Sequence, residues 1–191
     1  MLRNQAIREL EVDGGRKITV YDNVLDLEYR CQVYDFAQNS LFRIGWSDST
    51  ITENKKYRSL YSDYSDKDVQ DLGIENRLKS TPVAREMEGF TRTKCIVNLS
   101  TPSDVNFIHV HPEDKVILYY VNLEWQDGWH GETLFFDESG KDILFGSPYT
   151  PGRVIAFDAK IPHTIRPQSH LSSFFRFTLA LIYTKDGNYF R

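Results

Sequence analysis

Two cysteines in 191 residues, Cys31 and Cys95, are too few for a disulfide framework or a cysteine-rich zinc site. Both are expected as small, buried apolar side chains. No apolar run approaches the length that crosses a bilayer, and the first residues, Met1 to Gln5, lack the apolar stretch of a signal peptide. Positive charge is also scarce: 23 Lys and Arg stand against 27 Asp and Glu, a formal charge of -4. Without a basic stripe, nucleic acid is excluded as a general partner, since phosphate recognition rests on clustered Lys and Arg. Repeats, low-complexity tracts and an inter-domain linker are absent too. What remains is a cytoplasmic enzyme or binding protein of one domain, residues 1–191, long enough to bury a real core. Its 14% aromatic content favours a β-rich interior.

The chain divides by periodicity into a helical, polar part (1–91) and a strand-rich part (92–185). Arg16 to Tyr21 alternates like a first strand. After Asp22-Asn23, Leu25, Tyr29, Val33 and Phe36 recur at helical spacing. Ser65 starts a second helix reaching Lys79, and Pro82 a third. The stretch from Ser47 to Ser65, with Tyr57, Tyr61 and Tyr64, shows no period and is either a surface loop or a flap over a pocket. From Arg92 onward short apolar runs follow one another: 94–99, 105–109, 116–122, 132–136, 153–157 and 174–183. Turn signals such as His111-Pro112-Glu113-Asp114, Glu138-Ser139-Gly140 and Pro151-Gly152 separate them. Many short strands with regular turns indicate a sandwich or barrel, of which a jelly roll is the simplest, with the helices packed on one face.

All five histidines lie between His109 and His170. Residues two apart on a strand share a face, so His109 and His111 point the same way. Pro112 then disturbs the ladder and leaves Glu113 and Asp114 in a turn at the strand end. A second strand end carries His163 between Pro162 and Pro167. Two imidazoles and one carboxylate leave half of an octahedral metal open, the arrangement of non-heme Fe(II) oxygenases. In the run from Phe174 to Tyr183, Arg176, Thr178 and Ala180 share one face and Phe175, Phe177, Leu179 and Leu181 the other. An arginine inside so apolar a strand requires an anionic partner, either a protein carboxylate or a ligand held in a bidentate fork.

In this order the pieces resemble a family. His111-x-Glu113, Tyr119 to Asn122, Gly131 to Phe135, Pro151 to Phe157, His163 and Arg176-x-Thr178 are similar to the motifs of the prolyl-4-hydroxylase-like branch of the 2-oxoglutarate- and Fe(II)-dependent oxygenases. The likeness covers about residues 95 to 184. It implies a β-rich, cupin-like double-stranded β-helix (jelly roll) with N-terminal helices packed on one sheet. It implies His111, Glu113 and His163 as ligands of Fe(II). It further implies Arg176 paired to the far carboxylate of 2-oxoglutarate, Tyr120 donating to the same group and Thr178 helping, with Gly131 and Thr133 positioning the opposite wall. The family usually has His-x-Asp, whereas this chain offers His-x-Glu. Glu113 is placed first and Asp114 in reserve, and His109 could combine with His111 instead. Where the family commonly shows paired glycines, this chain has Trp129-His130-Gly131; His130 and His170 are read as surface residues.

The implied activity is hydroxylation of a prolyl residue or a small molecule, using O₂ and releasing succinate and CO₂, with ascorbate as a further reductant. Two rivals stand beside it. A metal-dependent cupin enzyme without an oxoacid would pair Arg176 with a protein carboxylate, and a non-catalytic jelly-roll binding module would not depend on metal.

Overall fold

A computed structural model describes residues 6–45, 47–102 and 104–185. Eleven strands run in chain order: β1 (Arg8–Val12), β2 (Arg16–Tyr21), β3 (Arg43–Ile44), β4 (Leu60–Asp63), β5 (Phe90–Ser100), β6 (Lys115–Tyr120), β7 (Thr133–Phe136), β8 (Ile143–Ser147), β9 (Val154–Asp158), β10 (His163–Ile165) and β11 (Arg176–Lys185). Helix α1 (Leu27–Gln38) lies between β2 and β3; α2 (Asp66–Leu72), α3 (Ile74–Lys79) and α4 (Ala84–Met87) lie between β4 and β5. The strands form an eight-stranded sheet in the order β1-β2-β9-β6-β11-β5-β4-β3 and a three-stranded sheet in the order β10-β7-β8. Every pairing is antiparallel. The result is the expected jelly roll.

Alternation along the central strands sorts the core into two layers. On one face of the large sheet, Val97, Ile117, Tyr119, Leu179 and Leu181 meet Tyr29, Val33, Ile74 and Leu78 of the helices. On the other, Ile96, Leu118, Tyr120, Ala180 and Ile182 meet Phe135 and Phe145 of the small sheet. The helices therefore cover one face, and the interior of the roll is the second. Asp26 caps α1 by accepting from the Tyr29 backbone N–H at 2.8 Å. Ser65 and Asp68 cap α2 reciprocally. The single helix expected from Ser65 to Lys79 is divided at Gly73, whose φ of +72° ends α2 before α3 begins.

The N-terminal part is not only helical. Strands β1 to β4 extend both edges of the large sheet, so the roll draws on residues well before 92. Strands β1 and β3 hide from a period search because they are short and mostly exposed. The run from 105 to 109 forms no strand of its own beyond a bridge between His109 and His163. Among the described residues, no helix is long and apolar enough to cross a membrane. Cys31 and Cys95 are free thiols; Cys95 is buried, and burial pushes its pKa up to about 12, while Cys31 is only half-buried.

Candidate metal centre and anion pocket

Three imidazoles meet because two strand ends face each other. The His109 backbone N–H donates to the His163 carbonyl at 3.0 Å, and the His163 N–H donates back to His109 at 3.0 Å. Residues paired in this way lie directly opposite and project to the same side. His111, two residues on, shares that side, and its N–H is tied to the Ala159 carbonyl at 2.9 Å. The ring centroids are 5.1 Å apart for His109 and His111, 4.4 Å for His109 and His163, and 5.0 Å for His111 and His163. One ring nitrogen from each lies within 4.8 Å of the others, spacing that suits a single metal ion.

Hydrogen bonds set the ring orientation of two members. His163 Nδ1 is 2.8 Å from the Ile161 carbonyl and His109 Nδ1 is 3.0 Å from that of Phe107, in each case two residues upstream. A carbonyl only accepts, so Nδ1 carries the proton and Nε2 keeps the lone pair that a metal requires. Asp48 Oδ2 lies 3.8 Å from His109 Nδ1. Burial holds the His163 pKa well below the usual imidazole range, with the neighbouring His109 and His111 adding to the effect. Burial, then His109, lowers His111 to about 4. Both rings are neutral at neutral pH and ready to ligate.

The same shifts carry a stability consequence. A ring whose folded pKa lies below its unfolded value of about 6.5 binds fewer protons when folded. Its contribution is complete above about pH 6.5 and is lost as pH falls toward 4. For His111 alone the loss is on the order of 3 kcal/mol at pH 4. Thermal melts of metal-free protein from pH 7.5 to 4 are expected to show this decline, and a His111→Gln variant a shallower one. An equally steep decline in that variant would remove His111 from the account.

The cluster opens into a cavity inside the roll, whose lining includes the three histidines, Thr133, Thr178 and Phe157, with Asp48, Asp104, Asn98 and Asn106 among its polar members. One pleat beyond Thr178 on β11 lies Arg176, which is fully buried. Its Nε donates to the Gly131 carbonyl at 2.9 Å, while Nη1 and Nη2 are buried and have no hydrogen-bond partner. The guanidinium carbon is 4.8 Å from the Tyr149 ring and 5.5 Å from that of Tyr120. Burial drives the Arg176 pKa down from its usual value, against the pull of Tyr120, Tyr149 and the Glu132 carboxylate. Tyr120 lies directly across β6 and β11 from Thr178, and its hydroxyl donates to Thr133 Oγ1 at 2.7 Å. Thr178 Oγ1 is buried without a partner. Gly131, at φ +84°, permits this packing: a Cβ there would come within 3.0 Å of Arg176 Cδ. Unpaired guanidinium nitrogens away from water are costly unless an anion occupies the place beside them.

No family profile and no curated protein matches the sequence. Solved structures do. A prolyl hydroxylase of Trichoplax adhaerens, in complex with a hypoxia-inducible-factor peptide fragment, superposes with a TM-score of 0.64 at 18% identity, over 88% of this chain and 83% of that one. A 2-oxoglutarate-Fe(II) oxygenase family protein of Burkholderia pseudomallei gives 0.65 at 12% identity, over 87% and 84%. HygX of Streptomyces hygroscopicus, with nickel and 2-oxoglutarate bound, gives 0.63 at 11% identity, over 89% and 83%. The chain has the fold of the 2-oxoglutarate-dependent oxygenases.

Within that fold the His111 and His163 rings lie together, and Arg176, Tyr120 and Thr178 share one inner face. Glu113 does not join the imidazole cluster. Past the bend at Pro112 its Oε1 meets Lys94 Nζ of β5 at 2.7 Å, while Oε2 is buried without a partner. Burial alone would raise its pKa, yet the hydrogen bond and charge of Lys94 hold it below the ordinary range. Asp114 is also occupied elsewhere, with Oδ2 accepting from the Lys185 N–H at 2.8 Å. His109, the alternative partner of His111, takes the third place in the cluster. His170 is exposed and His130 half-buried beside Arg166, both away from the cluster. In the stretch from Ser47 to Ser65, Asp48, Ser59 and Leu60 line the cavity, but Tyr64 packs on Phe36 under the helices. Asp48 was not singled out from the sequence, where a polar stretch without period gives no sign of which residue reaches a cavity.

Proposed function

We propose that this protein is an Fe(II)- and 2-oxoglutarate-dependent dioxygenase that hydroxylates a small molecule or a peptidyl residue. The observation that carries the reading is Arg176, a buried guanidinium with both terminal nitrogens unpaired, on the inner face that also presents Thr178 beside the imidazole cluster. The donor set suits iron among the transition metals that imidazole binds. When bound, the metal and the oxoacid use O₂ to insert one oxygen atom into a substrate C–H bond, with 2-oxoglutarate converted to succinate and CO₂.

The residues supply position and environment. His111 and His163 hold the ion from opposite strands. Arg176 would pair with the far carboxylate of the oxoacid, the unpartnered Thr178 hydroxyl would lie beside it, and Tyr120 would reach it on releasing Thr133 Oγ1. Phe157, Ile182 and Val116 keep the cavity wall apolar, which strengthens each charge contact inside. The bound nickel and 2-oxoglutarate of HygX and the peptide of the Trichoplax hydroxylase are consistent with this assignment. Against the cupin alternative, no protein carboxylate hydrogen-bonds the terminal nitrogens of Arg176; Glu132, whose charge reaches it, has Oε1 beside Arg166 instead.

Anaerobic titration with Fe(II), with and without 2-oxoglutarate, tests the reading. A visible metal-to-ligand charge-transfer band is expected only when both are present, followed by succinate release on admitting O₂. Metal binding with no band and no effect of the oxoacid would contradict it and leave an oxoacid-free metal enzyme.

A further inference from the structure

We infer that the metal is held by three imidazoles, those of His109, His111 and His163, with no carboxylate among its protein ligands. This rests on the reading of the cavity as a metal site and refines which residues build it. The backbone argument comes first. His109 and His163 form a mutually hydrogen-bonded cross-strand pair, and His111 follows on the same side, so the convergence is imposed by the ladder. The second argument is the proton position: Nδ1 of His109 and of His163 face carbonyls, which frees both Nε2 atoms.

The third argument is that neither nearby acid belongs to the ring cluster. Past the Pro112 bend Glu113 Oε1 lies on Lys94 while its buried Oε2 has no partner, and Asp114 holds the end of β11. Fourth, His109-x-His111 reproduces the His-x-acid spacing with an imidazole where the acid is usual. The ligand set is then uncharged, and the ion keeps its full double charge for a dianionic oxoacid. Asp48 Oδ2 lies 3.8 Å from His109 Nδ1, longer than a hydrogen bond, and adds negative charge near a ring whose Nδ1 proton goes to the Phe107 carbonyl.

The chain contains only five histidines, so their ring nitrogens can be followed individually by ¹⁵N NMR, with assignments from single His→Gln variants. Zn(II) serves as a diamagnetic probe. On its addition the Nε2 signals of His109, His111 and His163 are expected to shift together, while His130 and His170 stay in place. His109→Gln is expected to weaken Zn(II) by about 100-fold, the upper range for outer partners of a metal ligand. Glu113→Gln is expected to match the parent in both shifts and affinity. Shifts at His111 and His163 alone, with affinity lost in Glu113→Gln and kept in His109→Gln, would overturn the three-imidazole assignment and leave the oxygenase reading standing. No shift at any histidine would overturn both.

Discussion

Arg176→Met is expected to weaken 2-oxoglutarate binding by roughly 30-fold or more while leaving the metal-free protein at least as stable as the parent. The two effects have one cause. In the free protein the guanidinium is buried, with Nη1 and Nη2 unpaired, so an apolar side chain of similar length removes a desolvated charge. The variant loses the bond from Nε to the Gly131 carbonyl and the contacts with the Tyr149 and Tyr120 rings, against the desolvation it relieves. In the complex the same change removes one partner of a buried charge pair, a loss of about 2–5 kcal/mol, or roughly 30-fold to a few thousandfold in affinity. Calorimetric titration of 2-oxoglutarate into Mn(II)-loaded protein measures the second effect, and thermal melts without ligand the first. Arg176→Lys is expected to fall between parent and Met, because an ammonium cannot supply the planar fork. Parent-like affinity in Arg176→Met would place the oxoacid elsewhere.

His163→Ala carries the other large effect. His163 is buried at 6% exposure, sits opposite His109 and belongs to both the sequence-derived ligand set and the imidazole cluster. Its loss is expected to weaken Fe(II) by about 100-fold or more, since even the outer partners of a metal ligand are worth about 10–100-fold. The fold is expected to tolerate it, because the backbone bonds joining His109 and His163 do not involve the ring. Removing the ring also removes a neutral buried imidazole, so the variant is expected to lose less stability than the parent on acidification. Fe(II) affinity equal to the parent's would rule out His163 as a ligand.

Periodicity carried much of the fold. Strand β11 was legible residue by residue, and its alternation put Arg176, Thr178 and Ala180 on the inner face, where they lie. The motif from Tyr119 to Asn122 was legible as well, and its asparagine has a local reason. Asn122 Oδ1 accepts from the Phe177 N–H and the Tyr149 hydroxyl, tying the end of β6 to the start of β11. Strand β8 went unread because Gly146 breaks its pattern; that glycine lies against Leu134 of β7, and a Cβ there would come within 3.3 Å of the leucine. Strand β4 pairs with β5, a partner set by long-range topology that local spacing does not encode.

The site was legible in part for the same reason. Spacing put His109 and His111 on one side, but which strand lies opposite is a long-range fact. The pairing of His109 with His163 brings a third imidazole to the cluster. Glu113 drew the reading because an acid two residues after a histidine is the chemistry iron sites commonly use. The Lys94 ammonium, 19 positions earlier in the chain, holds one of its oxygens outside the ring cluster, a contact that local spacing does not encode.

A crystal structure of the protein grown anaerobically with Mn(II) and 2-oxoglutarate tests the central claim most directly. The account predicts a manganese anomalous peak bounded by the ring nitrogens of the histidine cluster, with one oxoacid spanning from that ion to the terminal nitrogens of Arg176. Manganese bound away from these rings, or an oxoacid whose far carboxylate does not reach Arg176, would contradict it.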